Sequence, residues 1–388
     1  MRYEQYCTWT EINQQPKLWL ETYDIIKSRE TEIKQFFRDI ENNYCTKNIK
    51  IIFTGSGTSE FVGNTICSQL NQHSEYTILS IAATDIVTDP RKYFDRNTPT
   101  ILVSCARSGN SPESVAAVKL ADQCVKNIYH IFLTCNENGK LAKLADSNDK
   151  ILSLLMPKDS DDKGFAMTSS FTCMMFGGIL VFNINNLIKY KDQVEEVIHK
   201  INHNYDERIS VIKEITKLDT ERIVVLGSSA LKGLAQESAL KILELSDGKM
   251  STSFDSFLGF RHGPKSIIND HTLIFGLLNS NDYSRQYELD LIKEISSEEK
   301  PKNLISLDCR SDNNVRKCSN YYFNFQLDSD LEDIMLGFAY IYIIQIYAFL
   351  KSIDLGNNPD NPCPSGEVNR VVKGVNIYPF NQKEGVSC

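Results

Sequence analysis

Short apolar runs alternate with amphipathic segments of helical length along most of this chain. In the first half the apolar runs are residues 49–55, 78–83, 100–106 and 130–135. Amphipathic segments at residues 59–72 and 112–125 separate neighbouring runs. Such short apolar runs suit strands buried on both faces, and the intervening helices suit the crossovers of a parallel sheet. The pattern therefore predicts an α/β fold in which helices cover both faces of each sheet.

The second half repeats the order of the first half at a fixed distance. Gly227 corresponds to Gly55 and Thr272 to Thr100, and both pairs are 172 residues apart. A third apolar run, residues 304–309, lies two residues off this register. Three matches in the same order predict two tandem domains, each with three layers in the order α-β-α.

The same comparison suggests where the domains begin and end. We predict a helical arm over residues 1–45, a first domain over residues 46–205, and a second domain with a C-terminal tail over residues 206–388. The join falls in the charged helical stretch 190–221, which needs no other role.

The most apolar stretch, Ile334–Leu350, raises the question of a membrane. It has 17 residues, and Gln345 is its only clearly polar side chain. A span of the bilayer needs about 20 residues. A helix buried on all sides of a layered α/β protein has the same composition. We therefore expect a core helix and no membrane partner.

Charge and cysteine content narrow the classes of partner. The 388 residues include 42 Lys and Arg against 50 Asp and Glu, a net charge of −8. An acidic chain is a poor general binder of nucleic acid, so we expect no nucleic-acid partner. The 11 cysteines form no C-x-x-C pair, and the first residues carry no apolar signal segment. These features favour a reducing, cytoplasmic location.

A Gly- and Ser-rich loop, Gly55-Ser56-Gly57-Thr58-Ser59, directly follows the first predicted strand. Glycines allow a tight turn, and the free N–H groups of a helix start bind anions. Ser56, Thr58 and Ser59 add hydroxyl donors to a phosphate. The loop lacks the lysine of a nucleotide-binding P-loop. An ordinary strand-to-helix turn has the same pattern, so this loop alone leaves both interpretations open.

A second polar loop follows the run at residues 100–106 and begins the next helix. Arg107 can direct two N–H donors to phosphate oxygens, and Ser108, Asn110 and Ser111 add polar side chains. Loops at the carboxyl ends of neighbouring parallel strands open onto one crevice. Together the two loops predict a site for a phosphorylated ligand. The alternative is a helix cap by Ser111 with Arg107 in solvent.

Candidate acid–base groups occur in the second half. Glu237, Lys241 and Glu244 share one face of a helix at spacings of four and three residues. A solvated stripe of charges gives the same spacing. A Phe-rich loop, residues 253–264, follows and carries His262. An aromatic loop with a histidine after a carboxylate-bearing helix suits a closed acid–base site.

Two further clusters are weak candidates for metal binding. His199 and His203 are four residues apart on a predicted helix, without a carboxylate or Cys to complete a ligand set. The acidic run at residues 159–162 lacks the Gly and Glu positions of a calcium loop, and we interpret it as a solvated loop. We predict no metal.

Five motifs together resemble the sugar isomerase (SIS) family. They are GSGTS, ARSGNSPES, FAMTSSFT, ESALKILEL and FRHGPKS. The resemblance covers nearly the whole chain and is closest to the galactosamine-6-phosphate deaminase/isomerase branch, also labelled tagatose-6-phosphate ketose/aldose isomerase. It implies two SIS domains and conversion of galactosamine 6-phosphate and water to tagatose 6-phosphate and ammonia. It implies no metal or redox cofactor.

The resemblance also assigns roles in substrate binding. Ser59 and residues 107–111 match the phosphate-binding positions of the family. The second half reads NSNDYSRQYE at residues 279–288, without such a loop, so we expect phosphate in the first half only. Weaker candidates for sugar contacts are Thr168, Ser169 and Ser170 in FAMTSSFT, and Arg261 in FRHGPKS.

The catalytic roles implied by the resemblance fall in the second half. Glu244 matches the base that moves a proton between C2 and C1, and Lys241 matches a lysine close to the open-chain sugar. His262 matches the ring-opening histidine, which related synthases supply from the neighbouring subunit. We therefore expect a homo-oligomer, at least a dimer. Lys373 matches the C-terminal-tail lysine of those synthases.

Two other functions remain open from the sequence. One is aldose–ketose isomerisation of a phosphosugar without loss of nitrogen, which an assay of released ammonia distinguishes. The other is a phosphosugar-sensing regulator. Residues 1–45 are too short and too weakly basic for the DNA-binding domain that such regulators carry, and this disfavours the second alternative.

Overall fold

The computed structural model describes residues 2–72, 74–145, 148–298, 303–327, 331–372 and 374–381. The elements of the first half are α1 (Cys7–Asn13), α2 (Gln15–Ser28), α3 (Glu30–Glu41), β1 (Lys50–Thr54), α4 (Thr58–Gln72), β2 (Thr77–Ser80), α5 (Ala83–Thr88), α6 (Pro90–Tyr93), β3 (Thr100–Ala106), α7 (Pro112–Cys124), β4 (Ile128–Thr134), α8 (Lys140–Leu144), β5 (Ile151–Leu155) and α9 (Ser169–Phe182). The elements of the second half are α10 (Leu187–Asn202), α11 (Tyr205–Thr216), β6 (Arg222–Gly227), α12 (Ala230–Leu245), β7 (Ser251–Asp255), α13 (Phe257–Phe260), β8 (Thr272–Leu277), α14 (Asp282–Ser297), β9 (Asn303–Asp308), α15 (Asn313–Cys318), β10 (Tyr321–Asn324) and α16 (Asp333–Asp354).

The two halves contain sheets of the same topology. The first sheet has the order β2-β1-β3-β4-β5, and the second, read from the equivalent edge, has the order β7-β6-β8-β9-β10. Neighbouring strands in both sheets are parallel. The pairs β1 and β6, β3 and β8, and α4 and α12 each begin 172 residues apart, the spacing found in the sequence. The predicted α/β architecture is confirmed.

Successive residues of the central strands pack on opposite faces of each sheet. In β1, Ile51 and Phe53 join the central core, whereas Ile52 joins an outer cluster. In β6, Ile223 joins the same central core and Val224 joins a second outer cluster. One core therefore lies between the two sheets and contains side chains from both halves.

Helix α16 belongs to this central core. It is long and apolar enough to cross a membrane, but 94% of its most apolar window is buried inside the protein itself. Tyr340 and Tyr347 are among its fully buried side chains, and the Tyr340 hydroxyl donates to the carbonyl of Leu278 at 2.9 Å. The predicted core helix is confirmed and has 22 residues.

The N-terminal arm consists of α1 to α3 and packs on helices of both halves. The indole N–H of Trp19 donates to Thr172 Oγ1 on α9 at 2.9 Å. Gln15 Nε2 donates to Gln345 Oε1 on α16 at 2.7 Å. The predicted boundary at residues 205 and 206 falls in the first turn of α11 and stays a prediction.

The two halves meet where α4 and α12 pack at close range. A Cβ atom on Gly233 would lie 2.4 Å from the backbone carbonyl carbon of Asn64. A larger residue at position 233 would force the two helices apart. This contact brings the beginning of α4, in the first half, close to the second half's α12.

Candidate active site

Two glycines shape the loop between β1 and α4. A Cβ atom on Gly55 would lie 2.4 Å from the backbone carbonyl carbon of Ser59, and Gly57 has a φ of +57°. Another residue at either position would strain the backbone. The turn places Thr58 and Ser59 in the first turn of α4, where the helix dipole favours an anion.

The second loop, residues 107–111, leaves the neighbouring strand β3 at the same edge of the sheet. Arg107 is only 6% exposed. Its Nη2 donates to the carbonyl of Arg370 at 3.2 Å, and its Nη1 has no hydrogen-bond partner among the described residues. Burial lowers the pKa of Arg107. A buried cation with an unpaired donor suits an anionic ligand.

The other polar side chains of this loop make local hydrogen bonds. Ser108 Oγ accepts from the backbone N–H of Asn110 at 3.3 Å, and Asn110 Oδ1 accepts from the backbone N–H of Lys140 at 3.1 Å. The Ser111 hydroxyl donates to Glu113 at 2.6 Å, in the first turn of α7. These bonds fix the shape of the loop. The phosphate contacts of Ser108, Asn110 and Ser111 stay predictions.

The three hydroxyls of the first loop differ in their partners. Ser56 Oγ is buried without a hydrogen-bond partner in the described part of the chain. Ser59 Oγ lies 3.9 Å from Met167 Sδ, a weak contact. Thr58 Oγ1 accepts a hydrogen bond of 2.8 Å from Lys241 Nζ. Ser56 and Ser59 can serve a ligand, whereas Thr58 already has a charged partner.

The predicted acid–base residues form a buried cluster on α12. Lys241 is 1% exposed, and its Nζ lies 2.5 Å from Glu244 Oε2 and 3.5 Å from Glu237 Oε1. Glu237 has no exposed surface, whereas the Glu244 side chain is 25% exposed. The alternative of a solvated stripe of charges is therefore excluded for Glu237 and Lys241. Of the three, Glu244 has the surface with which to touch a ligand.

Burial and neighbouring charges shift the pKa values of this cluster in opposite directions. Burial raises the pKa of Glu237 to about 8, although the Lys241 ammonium opposes the rise. Burial also disfavours the charged form of Lys241, but the carboxylates of Glu237 and Glu244 outweigh it and raise the pKa of Lys241. Lys241 is therefore an ammonium at neutral pH, and Glu237 is largely protonated.

His262 lies away from this cluster within one chain. It follows α13, whose Phe257 and Phe260 pack in the outer cluster of the second sheet. Helix α12 packs on the opposite face, in the central core. His262 is exposed, and within the described residues the structure does not bring it into contact with Lys241. Its neighbour Arg261 pairs with Glu294 on α14 at 2.7 Å, and Lys373 lies outside the described residues.

Thr168, Ser169 and Ser170 are fully buried around the start of α9. Asp162 accepts hydrogen bonds from the backbone N–H groups of Thr168 and Ser170 at 2.8 and 2.9 Å, and from the Ser170 hydroxyl at 2.5 Å. The Ser169 hydroxyl donates to the carbonyl of Glu11 at 2.6 Å. A ligand cannot touch these side chains without a rearrangement, so their predicted sugar contacts receive no support and stay predictions.

Asp162 is a supporting residue that the sequence interpretation missed. The interpretation of residues 159–162 as a solvated loop is wrong for Asp162, which is fully buried. The N–H groups at the start of α9 offset the cost of burying its charge. Its backbone carbonyl accepts a hydrogen bond from Arg370. Asp162 thus links α9 to the tail segment that contacts Arg107.

The described residues contain no group of three His, Cys, Asp or Glu side chains arranged to hold a metal ion. Cys105, near the end of β3, is fully buried. Burial raises the pKa of its thiol, which suits a packed side chain and not a nucleophile.

These features are those of a double-SIS-domain protein, and the sequence profile of the SIS domain matches residues 44–183. The chain belongs to the D-galactosamine-6-phosphate deaminase family of SIS-domain proteins. It is 38% identical to the D-galactosamine-6-phosphate deaminase AgaS of Shewanella sp. (strain ANA-3), over 98% of this chain and 93% of that protein. The family resemblance drawn from the motifs is confirmed.

Solved structures support the same placement. The crystal structure of a Clostridium novyi NT protein is 44% identical, has a TM-score of 0.93, and covers 96% of this chain and 95% of that chain. The tagatose-6-phosphate ketose/aldose isomerase of Escherichia coli is 35% identical, with a TM-score of 0.89 and coverage of 98% of both chains. The predicted fold of two tandem SIS domains is confirmed.

Proposed function

We propose that this chain is a deaminating isomerase that converts D-galactosamine 6-phosphate and water to D-tagatose 6-phosphate and ammonia. One observation carries the proposal: Lys241 lies between Glu244, at 2.5 Å, and Thr58 of the first loop, at 2.8 Å. A base and a cation from the second half therefore lie beside a loop of the first half that suits phosphate. The name of the 38%-identical relative agrees with this reaction.

The two polar loops bind the 6-phosphate in this proposal. Ser56 and Ser59 supply hydroxyl donors, and Arg107 supplies the unpaired Nη1 of a buried guanidinium. The N-terminal turns of α4 and α7 add backbone N–H donors. Anchoring the phosphate at this edge of the sheet holds the amino sugar's C1 and C2 near α12.

Glu244 is the base that transfers the proton in this proposal. It takes the proton from C2 of the open-chain sugar while the C1 aldehyde oxygen gains a proton, which gives an enolamine. Return of the proton to C1 gives an imine at C2, and water hydrolyses the imine to the ketone and ammonia. The Lys241 ammonium pairs with Glu244 and stabilises charge that develops on the substrate oxygen. Each hydrogen moves as a proton, so the reaction needs no redox cofactor.

Ring opening requires a second chain in this proposal. His262 is exposed, and its loop lies on the face of the second sheet opposite α12. From this position, His262 of one subunit reaches a substrate that is bound near Lys241 of another subunit in a homo-oligomer. The enzyme is then at least a dimer with shared active sites.

Isomerisation without loss of nitrogen is the second candidate, because the 35%-identical Escherichia coli structure is named a tagatose-6-phosphate ketose/aldose isomerase. That reaction uses the same base and the same two carbons. The two candidates differ in whether the substrate carries nitrogen at C2.

The deciding experiment measures ammonia and tagatose 6-phosphate from the 6-phosphates of galactosamine, glucosamine and N-acetylgalactosamine. Equimolar ammonia and tagatose 6-phosphate from galactosamine 6-phosphate, absent in a Glu244→Gln variant, are the expected result. Absence of ammonia from all three amino-sugar phosphates would contradict the proposal and favour the second candidate.

The proposal places this reaction in the cytoplasmic breakdown of amino sugars. The cysteines that the structure describes are free thiols, six of them buried. A reducing compartment keeps such thiols reduced.

A further inference from the structure

We propose that Thr58 is a positioning residue, which holds the ammonium group of Lys241 beside Glu244, and not a ligand of the substrate phosphate. The inference rests on the proposed function, because it concerns how the acid–base pair of that reaction is held. It also replaces the role suggested by the composition of the first loop, in which Thr58 is a hydroxyl donor to a phosphate.

The geometry of Lys241 supports this role. Its Nζ contacts Glu237 and Glu244, which lie one turn before and one turn after it on its own helix. The third contact is the Thr58 hydroxyl, 183 residues away in the first half. Two contacts from one helix leave the ammonium free to move along the helix face. A third contact from a different helix fixes it in three dimensions.

Thr58 itself is held rigidly. It is the first residue of α4 and is 4% exposed. The preceding turn depends on Gly55 and Gly57, and α4 is pressed against α12 at Gly233. This framework fixes the position of the hydroxyl, which is what the positioning of an acid–base group requires.

The two other hydroxyls of the first loop, those of Ser56 and Ser59, have no charged hydrogen-bond partner within the described part of the chain. Ser56 Oγ has no hydrogen-bond partner among the residues described, and Ser59 Oγ makes only a weak contact with Met167. These two hydroxyls can turn toward a phosphate without losing a strong hydrogen bond. Thr58 would have to give up a charge-assisted hydrogen bond to do the same. The loop therefore divides its hydroxyls between phosphate and Lys241.

The experiment compares Thr58→Val with Thr58→Ser. Valine keeps the shape of threonine and removes the hydroxyl, whereas serine keeps the hydroxyl. Thr65→Val is the matched control, because Thr65 is buried on the same helix and its hydroxyl donates only to the carbonyl of Phe61 at 2.8 Å. We expect kcat of Thr58→Val to fall about 10- to 100-fold, the range for losing a hydrogen bond to a charged group. Thr58→Ser should stay within about threefold of wild type, and Thr65→Val should keep its kcat.

Two measurements that do not depend on turnover accompany the kinetics. Calorimetry with inorganic phosphate should give the same Kd for Thr58→Val and wild type, and a weaker Kd for Ser59→Ala. NMR titration of lysine side chains, with Lys241 assigned from a Lys241→Met variant, should show a lower pKa for Lys241 in Thr58→Val. Loss of an acceptor makes the ammonium less stable.

Each outcome decides the inference separately from the proposed function. Weaker phosphate binding in Thr58→Val, with an unchanged Lys241 pKa, would make Thr58 a phosphate ligand and overturn the inference. Equal losses of kcat in Thr58→Val and Thr58→Ser would also overturn it.

If wild type released no ammonia, the proposed function would fail, while the Lys241 pKa and phosphate affinity would still test Thr58. If Thr58→Val did not fold, the same measurements on Thr58→Ala would decide.

Discussion

Asn64 on α4 donates a hydrogen bond of 3.0 Å to Gln236 on α12, and the two residues are 172 positions apart. The beginnings of α4 and α12 have the same separation. Equivalent positions of the two halves therefore touch each other at the centre of the molecule. The contact is symmetric in sequence, but the chemistry around it is not.

The asymmetry is visible at the positions equivalent to the acid–base cluster. Residues 172 positions before Glu237, Lys241 and Glu244 are the uncharged residues Thr65, Gln69 and Gln72. Likewise, the position equivalent to Thr58 is Ala230, which has no hydroxyl. Each chain can therefore build one such cluster, on α12.

Glu244→Gln tests the base. The change keeps the size of the side chain and removes its basicity, so kcat should fall by about 10²–10⁴. KM should change little, because the phosphate contacts dominate binding of the ground state. Steady-state kinetics measure kcat and KM. Transfer of a hydrogen label from C2 to C1 reports the proton transfer itself.

Glu237→Gln provides the comparison for that test. Glu237 is largely protonated at neutral pH because burial raises its pKa to about 8, and a glutamine resembles a protonated glutamate. The variant should lose far less activity at pH 7 than Glu244→Gln. A dead Glu237→Gln variant beside an active Glu244→Gln variant would show that the base had been assigned to the wrong carboxylate.

Glu237 should also make stability depend on pH. Its pKa is about 8 in the folded chain against an ordinary value of 4.5, so the folded state binds the proton more tightly than the unfolded state. Stability should therefore fall as pH rises from about 4.5 to about 8. The free energy of unfolding of Glu237→Gln, relative to wild type, should rise through this window and level off above it. Chemical denaturation at several pH values measures this. Glu195→Gln, which removes a carboxylate from a surface pair with Lys191, is the matched control.

Arg107→Ala tests the phosphate site. The variant should bind the 6-phosphate more weakly by about 1.5–3 kcal/mol, the range for a hydrogen bond to a charged group. Arg310→Ala is the control in the second half, where Arg310 pairs with Asp282 at 2.7 Å. An unchanged KM and kcat/KM in Arg107→Ala, or an equal loss in Arg310→Ala, would contradict the predicted division of labour between the halves.

Mixed chains test the shared active site. His262→Ala and Glu244→Gln chains should each be nearly inactive alone. Refolded together in equal amounts as dimers, they should recover about a quarter of wild-type activity, because half of the dimers carry one complete site. No recovery, or a fully active monomer in sedimentation at assay concentration, would refute a histidine supplied by the partner.

Gly233→Ala tests the contact between the halves. The new Cβ would lie 2.4 Å from the backbone of Asn64, so we expect a loss of about 1–3 kcal/mol in the free energy of unfolding. Gly337→Ala on α16 is the control, because its Cβ would meet Leu234 at an ordinary 3.4 Å. Equal stability of the two variants in denaturant titrations would argue against the tight contact.

Much of the fold could be predicted because its signals are local. The helices expected at residues 59–72 and 112–125 are Thr58–Gln72 and Pro112–Cys124 in the structure. Apolar runs followed by glycine or polar turns mark β1 and β3 equally clearly. The family motifs then predicted which side chains on these elements carry chemistry, and those roles stay predictions.

The rest depends on contacts between distant segments. The bond between Thr58 and Lys241 exists because α4 and α12 pack together, which no local pattern reports. Asp162 is buried because the start of α9 supplies its donors. The placement of His262 follows from the face of the sheet on which α13 packs. Each of these outcomes is decided by tertiary packing and not by periodicity.

The core between the two sheets has a consequence for any attempt to divide the chain. Ile66 and Phe176 from the first half and Leu234 and Phe338 from the second half belong to one apolar cluster. A fragment that ended at the domain boundary would expose its share of that cluster to water. We expect such a fragment to aggregate or to pair with a second copy of itself, with its two α4 helices meeting as α4 and α12 do here. The two domains are thus units of sequence, but they should melt in a single cooperative transition.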